Sequence, residues 1–240
     1  MQLAFLVTAR MGSTRLPGKH FLDLSGRTAM SQLLERVESA ADSQDFVVIA
    51  TGQDPANHAF DVFDKPPQRS VFFGDDLHIP RRHAQAAARL GADAIVAVDG
   101  DDPLTSIEAM KDVAQTLRGG KSLVKTIGLP IGMNAFGYSV ELLYSAVRTS
   151  KHKQLDTGWG RVFDGHEPTV IDRSLPQANQ VRMTLDYPED LEFFRRVFAD
   201  CPQSIRNSDT ELLQWILHHG LHGINRHLDD DYWKHFKNAE

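Results

Sequence analysis

The sequence has a single cysteine, Cys201, in 240 residues. An intrachain disulfide and a cysteine-rich metal site are therefore excluded, which accords with a reducing compartment, and the chain is expected to be cytoplasmic. Basic residues are not in excess either: 26 Lys and Arg stand against 32 Asp and Glu, a formal charge of −6. A general nucleic-acid binder needs a concentrated positive field, and this balance does not describe one. No apolar run is long enough to span a membrane. The opening run 3–7 is short, lacks a basic leader and runs directly into Arg10, so it reads as a buried strand. Repeats, low-complexity tracts and composition breaks are also missing, which leaves one domain over 1–240 as the economical reading.

What is present is the composition of an ordinary soluble globular protein, 41% hydrophobic and 24% charged. Apolar runs bounded by turn signals fall at 3–7, 46–50, 71–73, 94–98 and 122–126, and helical patterns at 28–40, 79–90 and 106–117 lie between them. This alternation predicts an α/β fold with a mostly parallel, Rossmann-like sheet, helices on both faces and ligands at the carboxyl ends of the strands. The second half is less regular. A glycine-rich, turn-like stretch at 128–137 precedes a helix at 139–148, strands at 168–171 and 181–185, and helices at 188–198 and 210–219. An inserted arm is expected at about 128–173. Trp215, Trp233, Phe193, Phe194, Val197 and Phe198 read as packing residues.

The most informative segment follows the first strand: Ala9-Arg10-Met11-Gly12-Ser13-Thr14-Arg15-Leu16-Pro17-Gly18-Lys19. Gly12 and Gly18 permit close backbone approach, Ser13 and Thr14 add hydroxyls, and Arg10, Arg15 and Lys19 bring three cations into one turn, as an anion cradle requires. It is not a P-loop, since five residues separate the glycines and His20 follows the lysine, and G-x-G-x-x-G is absent. The competing reading is a solvent-exposed basic turn. A second cluster, Asp99-Gly100-Asp101-Asp102-Pro103-Leu104, ends another predicted strand. Three carboxylates there suit a hard cation that bridges phosphate oxygens, or they serve the N-terminus of the next helix. Asp186, in Arg182-Met183-Thr184-Leu185-Asp186-Tyr187-Pro188-Glu189-Asp190-Leu191, is open to the same two readings.

The first loop resembles the nucleotide-binding signature of the cytidylyltransferases that make CMP-activated acid sugars, and is most similar to the branch of spore-coat polysaccharide biosynthesis protein F and the acylneuraminate cytidylyltransferases. Gly100-Asp101-Asp102-Pro103-Leu104 is similar to the family's metal and nucleotide loop, and 182–191 to its strand ending in a metal-binding aspartate. Ile224-Asn225-Arg226-His227 extends the likeness. The resemblance implies a nucleotidyltransferase sheet and transfer of CMP from CTP to an acidic sugar, with Mg²⁺ and release of pyrophosphate. It assigns the nucleotide to Ala9, Arg10, Gly12, Ser13, Arg15, Lys19, Arg82 and Asp101, and catalysis to Arg10, Lys19, Asp101 and Asp186. Metal falls to Asp101 and Asp186, and the arm implies a homodimer.

The acceptor region departs from the family. Asn134 and Phe136 stand where acids are usual; Asn134, Trp159 and Arg161 are the acceptor-binding candidates, Trp159 and Arg161 to stack on and pair with an anionic acceptor, or else a packing ring and a surface charge. His20, Lys125, His152 and Lys153 are further candidates. The alternatives are a cytidylyltransferase for a non-sugar anion such as a phosphonate, and a non-catalytic nucleotide-binding protein. Eleven histidines invite a metal reading, but Gly220 breaks the helix between His218 and His222 and argues against it.

Overall fold

A computed structural model describes residues 1–229; Trp233 lies outside them. The strands are β1 (Leu3–Thr8), β2 (Phe46–Gly52), β3 (Ser70–Gly74), β4 (Ala94–Asp99), β5 (Leu123–Ile127), β6 (Phe136–Ser139) and β7 (Thr169–Asp172). They form one sheet in the order β3-β2-β1-β4-β6-β5-β7. β1 is parallel to both β2 and β4, whereas β6 runs antiparallel between β4 and β5. The helices are α1 (Ala29–Ala40), α2 (Ile79–Leu90), α3 (Ile107–Arg118), α4 (Val140–Thr149), α5 (Pro188–Asp200), α6 (Gln203–Arg206) and α7 (Asp209–His218). None of the described helices is long and apolar enough to cross a membrane.

Alternation along β1 divides the core. Leu3, Phe5 and Val7 point into a layer with α1, α3, α5 and α7, while Ala4 and Leu6 point to the opposite layer with α2 and α4. Helices therefore cover both faces, as the alternating pattern required. The helix starts are fixed by side chains: Thr28 caps α1, Ser106 caps α3 and Ser139 caps α4, each accepting a backbone N–H from three residues ahead.

Two expectations for the second half change. The turn-like stretch 128–137 contains the start of β6, a strand in mid-sheet, and the predicted strand at 181–185 is extended chain with one bridge, Ile131 to Arg182. The stretch expected as an arm, 128–173, thus divides: β6 and α4 belong to the main layers, and the chain beyond α4 runs past the sheet's carboxyl edge before returning as β7.

Gly132 makes the bridge close. Its φ is +86°, and a Cβ there would lie 2.1 Å from the carbonyl oxygen of Met183. Gly132→Ala is expected to destabilise the protein by about 2–4 kcal/mol, combining an unfavourable φ with a backbone clash. Gly165→Ala, at a similar φ of +84° but with open space around it, should lose only about 1 kcal/mol. Equal midpoints for the two variants in urea denaturation would refute the clash.

Candidate active site

The parallel register of β1 and β4 sets Thr8 beside Asp99, so the loops that follow these strands emerge together. The Gly100 N–H donates to the carbonyl of Thr8 at 2.8 Å, and the Leu185 N–H donates to the carbonyl of Asp101 at 2.8 Å. Three segments distant in sequence, 8–20, 99–102 and 182–187, are thereby stitched along one rim. They border a cleft of about 970 Å³ that Ile131, Gly132, Phe136 and the segment 156–160 also line.

At its floor the buried Lys19 donates to Asp101 at 2.6 Å and to Asp186 at 3.0 Å. Burial opposes its charge, but the two carboxylates outweigh burial and raise its pKa, so Lys19 is a fixed cation. Arg15 donates to the same Asp186 oxygen at 2.8 Å and lies 5.1 Å from the centroid of the Tyr187 ring. Arg182, fully buried, reaches the other oxygen of Asp186 at 3.4 Å and grips Asp190 at 3.0 Å.

The helix-terminus readings of the acids are answered locally. Ser106 caps α3, and Asp190 takes the N–H groups of Asp186 and Tyr187 at the start of α5. The Asp101 and Asp186 carboxylates are left to face cations. Asp101 beside it helps to push Asp99, which is exposed at the rim, up to about 6; burial and these carboxylate neighbours raise Asp102 as well, whereas Lys19 overcomes burial to hold Asp101 below the usual carboxylate range. One Asp102 oxygen, Oδ1, is buried without a partner. His20 is kept neutral by burial and by Lys19, which lower it to about 4.

Arg10, Gly12, Ser13, Arg15, Lys19, His20, Asp101, Asp186 and Trp159 all line the cleft, together with Ala9 and Arg82. Arg82 is buried, however, and its guanidinium donates to the carbonyls of Asp75, Asp76 and Ala50. It organises the turn after β3. Asn134 does not line the cleft: its amide donates to Leu129 and Pro130 carbonyls, which shapes the turn before β6. Arg161 is also absent from the wall, with its Nε directed at the Gly158 carbonyl. Lys125, His152 and Lys153 lie outside the lining too.

Sequence reasoning gave no site role to Asp156, which pairs with Arg10 at 3.0 Å, or to Tyr187, and took Phe136 only as a lost acid. The departure from the family pattern at Phe136 was the available signal.

Among the described residues no group of three or more His, Cys, Asp or Glu side chains forms a ready metal cage. The donors suit a different arrangement. Mg²⁺ is commonly held by one or two carboxylates plus substrate phosphates, and Asp101 and Asp186 already converge on one cation, the Lys19 ammonium.

Known proteins resemble the chain over most of its length. The B. subtilis spore coat polysaccharide biosynthesis protein SpsF is 23% identical over 221 residues, 88% of this chain and 92% of its own. The 3-deoxy-manno-octulosonate cytidylyltransferase of Anaeromyxobacter dehalogenans is 30% identical over 131 residues, 54% of this chain and 52% of its own. Among other curated relatives the chain spans between 40% and 63% of their length. A cytidylyltransferase structure from Leptospira borgpetersenii shares the fold with a TM-score of 0.78 at 20% identity, covering 92% of this chain and 96% of that one. The cytidylyltransferase family model matches residues 4–197, from the first strand through most of α5, and the chain belongs to that family.

Proposed function

We propose that the protein transfers CMP from CTP to a small acceptor and releases pyrophosphate. The observation that carries this reading is the Lys19 ammonium clamped between Asp101 and Asp186, below a loop that adds Arg10 and Arg15. Phosphoryl-type transfer requires positioning and charge neutralisation more than covalent chemistry, and this floor supplies both. Lys19 is already charged and fixed, so no reorganisation is needed when phosphate oxygens arrive. Arg15, anchored by Asp186 and the Tyr187 ring, offers its remaining N–H groups to the triphosphate.

The acceptor oxygen forms a bond to the α-phosphorus while the bond from that phosphorus to the bridging oxygen breaks. The electron pair departs with pyrophosphate. Asp101 and Asp186 would hold a divalent cation such as Mg²⁺, which supplies Lewis-acid polarisation of the α-phosphate. The family likeness points to an acidic sugar or another small anion as acceptor, but the cations of the cleft gather on the nucleotide side. A purely nucleotide-binding role is less well supported, because binding alone does not need two carboxylates, one of them buried, against the phosphate-facing cations.

Calorimetric titration of each nucleoside triphosphate, with and without Mg²⁺, tests the reading. CTP-selective, cation-dependent binding is expected, and no binding of any triphosphate would overturn it. Lys19→Ala should weaken CTP binding by about tenfold or more. An unchanged dissociation constant would remove Lys19 from the nucleotide site.

A further inference from the structure

A buried chain of hydrogen bonds runs from the middle of the sheet to the cleft. His83 on α2 is fully buried, its Nε2 lies 2.8 Å from the Thr8 hydroxyl oxygen, and its Nδ1 meets the Tyr138 hydroxyl of β6. Burial and Arg82 lower His83 to about 3, and burial and Asp99 hold the Tyr138 hydroxyl well above its ordinary value, so both groups are neutral. A neutral imidazole carries one ring N–H, and here both of its nitrogens have a partner. The rest of the chain locates that proton. Tyr138 is fully buried, and among the described residues its hydroxyl has no hydrogen bond besides the one to His83, so it donates to Nδ1. The ring N–H is then on Nε2 and donates to the Thr8 oxygen. The opposite tautomer would leave the Tyr138 O–H buried without an acceptor.

Thr8 therefore accepts from His83 and keeps its own hydroxyl hydrogen to give. Among the described residues its oxygen has no other hydrogen bond, and the residue lines the cleft. It ends β1, immediately before the loop that carries Arg10, Arg15 and Lys19. Its register partner is Asp99, so the two side chains leave the same face of neighbouring strands, about 4.8 Å apart. Asp99 is exposed at the rim, and the indole N–H of Trp159 donates to it at 3.3 Å. A hydroxyl donor beside a carboxylate does not suit a phosphate oxygen. It suits a group that both accepts and donates, which is another hydroxyl. Asp101, the carboxylate next to the α-phosphate in the transfer, follows Asp99 after one glycine, and the ribose of the nucleotide is joined directly to that phosphate. Carboxylates near strand ends bind ribose hydroxyls in other α/β nucleotide sites.

We infer that Thr8 donates its hydroxyl hydrogen to a ribose hydroxyl of CTP, which in turn donates to Asp99, and that His83 is the positioning residue that sets the direction of the Thr8 hydroxyl. The inference rests on the transfer of CMP from CTP. His83 does not touch the nucleotide, because both of its ring nitrogens are committed within the protein. Tyr138 secures its tautomer. No proton changes owner along this chain, so its effect falls on nucleotide affinity and on the choice between ribose and deoxyribose.

Calorimetry on the full chain with Mg²⁺ compares CTP with its 2′-deoxy and 3′-deoxy analogues. Thr8→Val keeps the β-branched shape and removes the hydroxyl, and should weaken CTP binding about tenfold. Thr8→Ser should bring it back to within about twofold. For one of the deoxy nucleotides the loss should vanish, since the hydroxyl that Thr8 serves is already missing. Heteronuclear NMR of the imidazole rings reads His83 independently: the histidine whose signals move most in Thr8→Val should carry its proton on Nε2 in the unaltered protein. An unchanged CTP affinity in Thr8→Val, an equal loss for CTP and both deoxy nucleotides, or a ring proton on Nδ1 would overturn the inference. Absence of CTP binding by the unaltered protein would instead overturn the transfer reaction itself, so the two failures are distinguishable.

Discussion

Asp186→Ala is expected to reduce pyrophosphate release by about a thousandfold or more while the protein remains folded. The carboxylate is 2% exposed and contacts Lys19, Arg15 and Arg182, so it fixes three cations and faces the cleft as well. Its loss should be tolerated structurally, because Lys19 keeps Asp101 and Arg182 keeps Asp190. Asp186→Asn retains shape and removes charge, and should lose nearly as much activity. The measurement is a continuous pyrophosphate assay across a Mg²⁺ titration, with thermal denaturation run in parallel. Near-normal turnover in either variant, with normal Mg²⁺ dependence, would exclude Asp186 from the reaction.

The largest effect on stability is expected at Arg182. Its side chain is fully buried, with Nε and Nη2 on Asp190 and Nη1 on Asp229, and Asn225 donates to Asp190 from the other side. Arg182→Met would leave Asp190 and Asp186 buried with that cation gone, a loss of about 3–5 kcal/mol, whereas the Coulombic gain of an intact buried pair roughly offsets its desolvation. The exposed pair Arg27–Glu35 provides the contrast: Arg27→Ala should change stability by no more than about 0.5 kcal/mol. Urea midpoints at unchanged m-value measure both. Arg182→Met within about 1 kcal/mol of the unaltered protein would show that the cluster is dispensable.

Much of the first half was legible because its signals are local. Short apolar runs bounded by turn signals and period-3.6 patterns give β1 through α3, and the cations at Arg10, Arg15 and Lys19 follow a buried strand within one turn. Partners were not legible. That Lys19 bridges Asp101 and Asp186 depends on a pairing across 167 residues, which no spacing encodes. β6 was hidden for a different reason: Phe136 to Ser139 is four residues with one glycine, too short to show alternation, and its strand character comes from the neighbours β4 and β5. The run 181–185 misled in the opposite direction. Val181, Met183 and Leu185 alternate with polar residues as in a strand, but every residue from 181 to 185 is buried, and beyond the bridge at Arg182 their backbone groups bond to the turn at Ile131 and to the acidic loop at Asp101. Asn134 was assigned by analogy of position, and its amide instead serves two local carbonyls.

The antiparallel β6 also governs the order in which the molecule can assemble. β1, β2, β3 and β4 can pair as soon as residue 99 is available, but β5 does not touch β4 and must await the strand made after it. A nascent chain ending between residues 128 and 135 therefore presents the naked edge of β4, whose buried sequence is Ala94-Ile95-Val96-Ala97-Val98, and carries β5 without a partner. Unpaired apolar edges of this kind are where chains adhere to one another. Synthesis is most exposed to aggregation in that window, and it closes when Phe136 to Ser139 emerges and joins the two halves of the sheet.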